Sequence, residues 1–77
     1  MNEKRRALLR NAARLLDNAA EIASAVMDEE QNSVDSMPEN LQYSYRATDM
    51  EDNISDLDEV CDHAREASGL IENVLNR

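Results

Sequence analysis

A heptad ladder runs without a gap through the second half of this chain. Its ten members step by four and three residues in alternation: Tyr43, Ala47, Met50, Ile54, Leu57, Cys61, Ala64, Ser68, Ile71 and Leu75. A 4,3 step keeps one narrow seam on a single side of an α-helix, and such a seam is stable only when other helices bury it. The sequence therefore predicts an all-α protein whose helices pack along their length.

The first half of the chain carries a second apolar ladder with a wider stripe. We assign its seam to six residues that again step by four and three: Leu8, Ala12, Leu15, Ala19, Ile22 and Val26. Leu9, Leu16 and Ala23 flank this ladder and are left over once it is used, so the helix is expected to bury a broad face. The stretch contains no Gly or Pro, which supports a long helix.

The connection between the two helices centres on Pro38, which disfavours helix at Met37. We expect one domain, residues 1–77, with helix one over about 3–35, a turn over about 36–43 and helix two over about 44–76. Ser44 and Thr48 could each cap the second helix; we favour Ser44, because the ladder already includes Ala47. A short connection between long helices predicts an antiparallel hairpin.

A hairpin of two helices leaves part of each apolar stripe uncovered. A chain of 77 residues has a small core, which rarely supplies more than roughly 3–5 kcal/mol without a staple or partner subunit. We therefore expect a homodimer that forms a four-helix bundle. Its core is predicted to include Leu8, Leu15, Ile22, Met50, Ile54, Leu57 and Ile71.

Charge is strongly polarised along the sequence. Residues 1–14 hold five basic side chains and one acid, whereas the remainder holds three arginines and sixteen acids. An antiparallel hairpin would then have one basic end and one acidic end. Head-to-tail pairing would bring Arg5, Arg6, Arg10 and Arg14 close to acids of the second copy, so we expect that orientation.

Two sets of residues are candidates for binding a protein partner. The first is an acidic stripe on the second helix, formed by Asp49, Asp52, Asp56 and Glu59 and continued by His63 and Glu66. Such a stripe is either the solvated side of an amphipathic helix or a surface for a basic partner, where it could mimic nucleic acid. The second set surrounds the turn and either anchors a partner or caps the bundle: Met37, Leu41, Tyr43 and Tyr45.

Other function classes find little support in the sequence. Cys61, Asp62 and His63 are neighbours that point in different directions on a helix, and there is no second histidine, so we expect no catalytic site, metal or cofactor. The basic cluster could touch phosphates, but a net charge of −9 makes nucleic-acid binding unfavourable. We expect no membrane span, and the single cysteine favours the cytoplasm.

The middle of the chain resembles a group of small uncharacterised acidic helical proteins of bacteria and their phages. The resemblance covers about residues 28–60 and is carried by the turn, Asp35-Ser36-Met37-Pro38-Glu39-Asn40-Leu41-Gln42, with Ser44, Arg46, Met50-Glu51 and Ile54-x-x-Leu57-x-Glu59 after it. The group has a D-N-M-P-E-N-L-Q-x-S-x-R turn. This chain departs from that pattern at Ser36, where Asn is usual, at Tyr45, where an acid is expected, and at Val34, where an aromatic is common.

That resemblance implies a helical hairpin of phage or mobile-element origin and carries no activity. The function we expect is action through protein–protein interaction, with inhibition of a host nucleic-acid enzyme by the acidic face, as in an anti-defence protein, as the alternative. Neither expectation makes the protein an enzyme.

Overall fold

The computed structural model describes residues 1–41 and 44–77 and consists of two long helices joined by a short connection. Helix α1 spans Glu3–Asp35, a single 3₁₀ turn spans Glu39–Leu41, and helix α2 spans Tyr45–Leu75. The two helices pack side by side into a rod of 59 × 14 × 13 Å. The predicted all-α helical hairpin is confirmed.

Polar side chains define where both helices begin. The Asn2 side-chain oxygen accepts a hydrogen bond from the Arg5 backbone N–H at 2.9 Å, and the Ser44 hydroxyl accepts one from the Ala47 backbone N–H at 3.3 Å. Each cap satisfies a backbone donor that lacks a partner within the first turn of its helix. Ser44, rather than Thr48, is therefore the cap of α2.

Two hydrogen bonds between the helices set their antiparallel register. The Arg6 guanidinium donates to the Leu75 carbonyl oxygen, and the Cys61 thiol donates to the Ala20 carbonyl oxygen at 3.4 Å. A step forward along α1 is thus matched by a step back along α2. Residue 13 then lies level with 68, residue 27 with 54, and residue 34 with 47.

The levels at which the helices meet are occupied mainly by small side chains. Ala20 and Cys61 are each 1% exposed, and Ala47 is fully buried. Ala13 and Ser68, which lie level with each other, are buried as well. Small residues let helix axes approach closely at these levels, and larger side chains such as Met27 and Ile54 are half-buried at the levels between them.

The α2 side of this hairpin seam follows the predicted ladder. Ala47, Cys61 and Ser68 are buried, and the members between and beyond them are half-buried: Met50, Ile54, Leu57, Ala64, Ile71 and Leu75. Tyr43, the first member of the predicted ladder, lies outside the described residues. From Ala47 onward, the spacing in the sequence therefore identified the side of α2 that faces α1.

The α1 side of the hairpin seam was predicted one residue out of place, and this assignment was wrong. The residues that face α2 are Leu9, Ala13, Leu16, Ala20, Ala23, Met27, Glu30 and Val34, which are buried or half-buried. Most of the expected seam is exposed, including Leu8, Leu15 and Ile22. The residues that were expected to flank the seam, Leu9, Leu16 and Ala23, face α2 instead. Most residues of the predicted ladder are exposed.

The length of the two ladders explains this outcome. The expected ladder ends at Val26, because the next positions in its 4,3 step are Glu29 and Ser33. The observed ladder continues through Met27 and Glu30 to Val34, the residue level with Ala47 at the start of α2. A seam that runs the full length of both helices buries more apolar area than one that stops at Val26.

Replacement of Ala20 by leucine tests the close approach of the helices. Ala20→Leu should lower the free energy of unfolding by about 1–3 kcal/mol, because the larger side chain must displace α2 at the level of Cys61. Ala25→Leu is the matched control, since Ala25 is exposed on the same helix. Urea denaturation followed by circular dichroism, at equal protein concentrations, would measure both. Equal losses in the two variants would contradict this packing.

Replacement of Gly69 by alanine tests whether the exposed side of α2 is free of packing. A Cβ added at Gly69 would meet no atom within 4 Å, and the residue lies inside α2. Gly69→Ala should raise the free energy of unfolding by about 0.5–1 kcal/mol, because glycine loses more backbone entropy in a helix. Gly69→Asn should gain less. Destabilisation by alanine in the same urea titration would contradict an open position.

Candidate interaction surface

The ladder displaced from the hairpin seam forms an exposed apolar edge on α1. Leu8, Leu15 and Ile22 are 62%, 54% and 67% exposed, and Val26 is exposed as well. Ala12 and Ala19 lie between them on the same edge. Large apolar side chains so exposed and so regularly spaced are unusual on a surface that faces only water.

An apolar edge on α2 lies on the same side of the rod. Val60, Ala67 and Val74 each precede a seam residue by one position, as Ala12 and Ala19 do on α1. In an antiparallel pair, positions that immediately precede the seam residues lie on the same side for both helices. Leu70, which is exposed, joins this edge.

We call the combined surface the apolar face. It consists of Leu8, Ala12, Leu15, Ala19, Ile22 and Val26 on α1 with Val60, Ala67, Leu70 and Val74 on α2. Nearer the turn the same edges carry Glu29 and Ser33 on α1, and Asn53 and Asp56 on α2. The apolar face is thus limited to the part of the rod nearer the chain ends.

The opposite side of the rod is polar along its whole length. Exposed residues there are Arg10, Asp17 and Gln31 on α1 and Glu51, Asp58, Arg65 and Glu72 on α2. The hairpin therefore has one wetted side and one side that is apolar over much of its length. This asymmetry makes the apolar face the candidate side for contact with another molecule.

The acidic stripe lies on the surface of α2. Asp49, Asp52, Asp56 and Glu59 are all exposed, as are His63 and Glu66. Residues 28–56 contain nine acids and one basic residue, Arg46. Across residues 1–41 and 44–77, the one ion pair that forms joins Arg10 to Glu3, far from this stripe. The stripe is therefore a concentrated patch of negative charge, and within the described residues none of its carboxylates forms an ion pair with a cation of its own chain.

The candidate residues at the turn differ in exposure. Tyr45 is 93% exposed and Leu41 is 47% exposed, whereas Met37 is half-buried and its backbone N–H donates to the Val34 carbonyl oxygen at 3.1 Å. Tyr43 lies outside the described residues. Tyr45 and Leu41 remain available to a partner, and in this hairpin Tyr45 does not cap the end of the seam.

Most of the N-terminal arginines contact groups within the protomer. Arg6 donates to the last turn of α2 through the Leu75 carbonyl oxygen, and Arg10 pairs with Glu3. Arg14 donates to the Asn11 side-chain oxygen. Arg5 and Lys4 are exposed, and neither is joined to a carboxylate within the part of the chain that the structure describes. Lys4 and Arg5 are thus exposed cations whose side chains have no charged partner in the described part of the protomer.

Cys61 and His63 are not brought together. Cys61 is buried in the hairpin seam, and His63 is exposed on α2. Within residues 1–41 and 44–77, no cluster of three metal-ligating side chains forms, and no cavity is present. In the same part of the chain, neither helix combines the length and apolarity needed to cross a membrane.

The residues predicted for a dimer core fall into two groups. Leu8, Leu15 and Ile22 belong to the apolar face. Met50, Ile54, Leu57 and Ile71 are half-buried in the hairpin seam. Their role in a dimer stays a prediction.

Sequence reasoning missed the α2 part of the apolar face. Val60, Ala67 and Val74 repeat at a spacing of seven residues, one position before Cys61, Ser68 and Leu75 of the predicted ladder. This repeat could have been read from the sequence. The series has only three members, and the apolar contacts of α2 were assigned to the longer and more regular ladder beside it.

Comparisons with protein-family models, with curated proteins and with solved structures found no match to this chain.

Proposed function

We propose that this protein acts through protein–protein interaction and does so as a homodimer, in which two hairpins form a four-helix bundle. The observation that carries the proposal is the apolar face, which a single hairpin leaves in water. In this proposal the protein is cytoplasmic, catalyses no reaction and needs no cofactor. It binds neither nucleic acid nor membrane, and a phage or mobile-element origin is part of the same proposal.

The narrow core of the hairpin also supports a dimer. Cys61 is the largest side chain that is fully buried among the described residues, so the hairpin gains little from its own interior. Full burial of a leucine or isoleucine side chain contributes about 1.5–3 kcal/mol. Leu8, Leu15, Ile22 and Leu70 are more than half exposed, and a second copy would bury each of them twice, once in each protomer.

A charged residue placed in the apolar face tests the dimer. Leu15→Glu should raise the dissociation constant of the dimer by about 100-fold, because the carboxylate would have to be buried against the second copy. Asn18→Glu is the control, since Asn18 is exposed on the same helix outside the apolar face. Sedimentation equilibrium would measure both, with circular dichroism to check that the helices remain. A wild-type mass of one chain at micromolar concentration would overturn the proposal.

A second candidate function is inhibition of a host nucleic-acid enzyme through the acidic stripe, as in an anti-defence protein. The observation that favours it is the density of exposed acids near the turn, with Arg46 as the one cation among residues 28–56. A regular row of carboxylates can occupy a basic groove that otherwise holds phosphates. Leu41 and Tyr45 at the turn would be additional anchors for the same partner.

Reversal of three charges tests this second function. A variant with Asp49→Lys, Asp52→Lys and Glu59→Lys should lose a partner captured from lysate of the native host, and short duplex DNA should displace that partner from the wild type. Tyr45→Ala with Leu41→Ala is the comparison, because it leaves the acidic stripe intact. If only the Tyr45→Ala, Leu41→Ala variant fails to capture the partner, and DNA does not displace the partner from the wild type, then the partner binds at the turn. This result would contradict mimicry of nucleic acid by the acidic stripe.

A further inference from the structure

We propose that the second copy binds head to tail on the apolar face, with the twofold axis level with residue 17 of α1 and with Arg5 of each copy against Glu29 of the other. This inference rests on the proposed homodimer and adds its orientation, its register and the contacts that select them. In this arrangement α1 lies against α1 of the second copy, and α2 lies against α2.

The side chains along α1 match one another across such an axis. The two α1 helices then run antiparallel with their residues 17 at the same level. Residue 15 of one copy lies opposite residue 19 of the other, residue 12 opposite 22, and residue 8 opposite 26. Each pairing places a large side chain against a smaller one: Leu15 against Ala19, Ile22 against Ala12, and Leu8 against Val26. Alternation of large and small side chains lets two helix surfaces interdigitate.

On α2, the axis that brings Leu70 opposite Val60 lies at nearly the same height. Leu70 comes opposite Val60, and Ala67 opposite His63, when α2 is reversed about residue 65. The hairpin register places residue 17 of α1 level with residue 64 of α2. The axis that α1 defines is therefore within one residue of the height at which Leu70 meets Val60, and it leaves Val74 opposite Asp56 at each end of the α2 contact.

Charge complementarity continues the same series of pairs. The step beyond Leu8 and Val26 brings Arg5 opposite Glu29, and the twofold axis repeats this pair at the other end of the interface. Both residues are exposed, and neither takes part in an ion pair within the described part of the protomer. The apolar face is therefore bounded at each end by opposite charges from the two copies. Exposed ion pairs add little affinity, but they select orientation.

The other symmetric orientation is disfavoured by the same charges. With the twofold axis along the rod, α1 would lie against α2 of the second copy at equal levels. Arg5 would then approach Arg77, and Glu29 would approach the acids around Asp52. The apolar residues would still be covered, but like charges would meet at both ends of the contact.

Exchange of the two charges tests the proposed contact. Arg5→Glu and Glu29→Arg should each raise the dissociation constant of the dimer about 10-fold at low salt, and the double variant should return it close to the wild-type value. Arg14→Glu is the control, because it changes the net charge equally on the polar side of the rod. Failure of the double variant to recover, or an equal effect of Arg14→Glu, would overturn the pairing.

Disulfide trapping tests the register independently. In a Cys61→Ser background, Leu8→Cys chains mixed with Val26→Cys chains should form a covalent heterodimer on oxidation, and Leu8→Cys mixed with Val74→Cys should not. Linkage of the Leu8 and Val74 variants would indicate the opposite orientation, and a dimer that forms neither link would overturn the register. A wild-type mass of one chain in sedimentation would instead contradict the homodimer. Failure of the register and failure of the homodimer are therefore distinguishable.

Discussion

The close approach of the two helices at Ala20 and Cys61 is the contact on which the rest of the structure depends. The thiol of Cys61 reaches the Ala20 carbonyl oxygen, and both residues are almost completely buried. Such proximity requires small side chains at the levels where the helices meet, and Ala13, Ser68 and Ala47 satisfy this requirement. The most deeply buried positions of the seam hold small residues, Leu9, Leu16 and Met27 of α1 fill half-buried positions between them, and Leu8, Leu15 and Ile22 are left at its edge.

One hairpin with a narrow seam cannot bury the whole width of the apolar stripe on α1. Leu9 and Leu16 enter the seam, and their neighbours Leu8 and Leu15 are left in water. The packing of α1 against α2 therefore leaves the apolar face exposed. The proposed homodimer would cover the apolar face, whereas Asp52 and Glu59 of the acidic stripe lie at the solvated surface of α2.

The sequence predicted α2 better than α1 for a physical reason. Only one series in α2 steps by four and three from the turn to the chain end, so the side that faces α1 could be identified from Ala47 to Leu75. In α1 two such series run side by side, because Ala12-Ala13, Leu15-Leu16 and Ala19-Ala20 are pairs of adjacent apolar residues. Spacing alone does not distinguish them. The choice depends on which series continues to Val34 opposite Ala47, and this requires the register of the two helices.

The candidate surfaces also differ in how well the sequence predicted them. Acids at regular spacing on α2 were predicted to form one exposed stripe, and they do, because residues that keep a fixed offset from a well-defined seam lie on one strip of the helix surface. The apolar face was found only once the seam of α1 was corrected. Tyr45 is the first residue of α2 and is exposed, and the spacing of apolar residues, which left end-capping and partner contact both open for it, did not determine this.

The separation of charge along the rod has a further consequence for a single hairpin in solution. Basic residues cluster beside the chain ends, and acids cluster around the turn, at opposite ends of a body 59 Å long. Such a molecule has a large permanent electric dipole moment directed along its long axis. In the field of a charged macromolecule it would rotate before contact, so that a positively charged target meets the turn first.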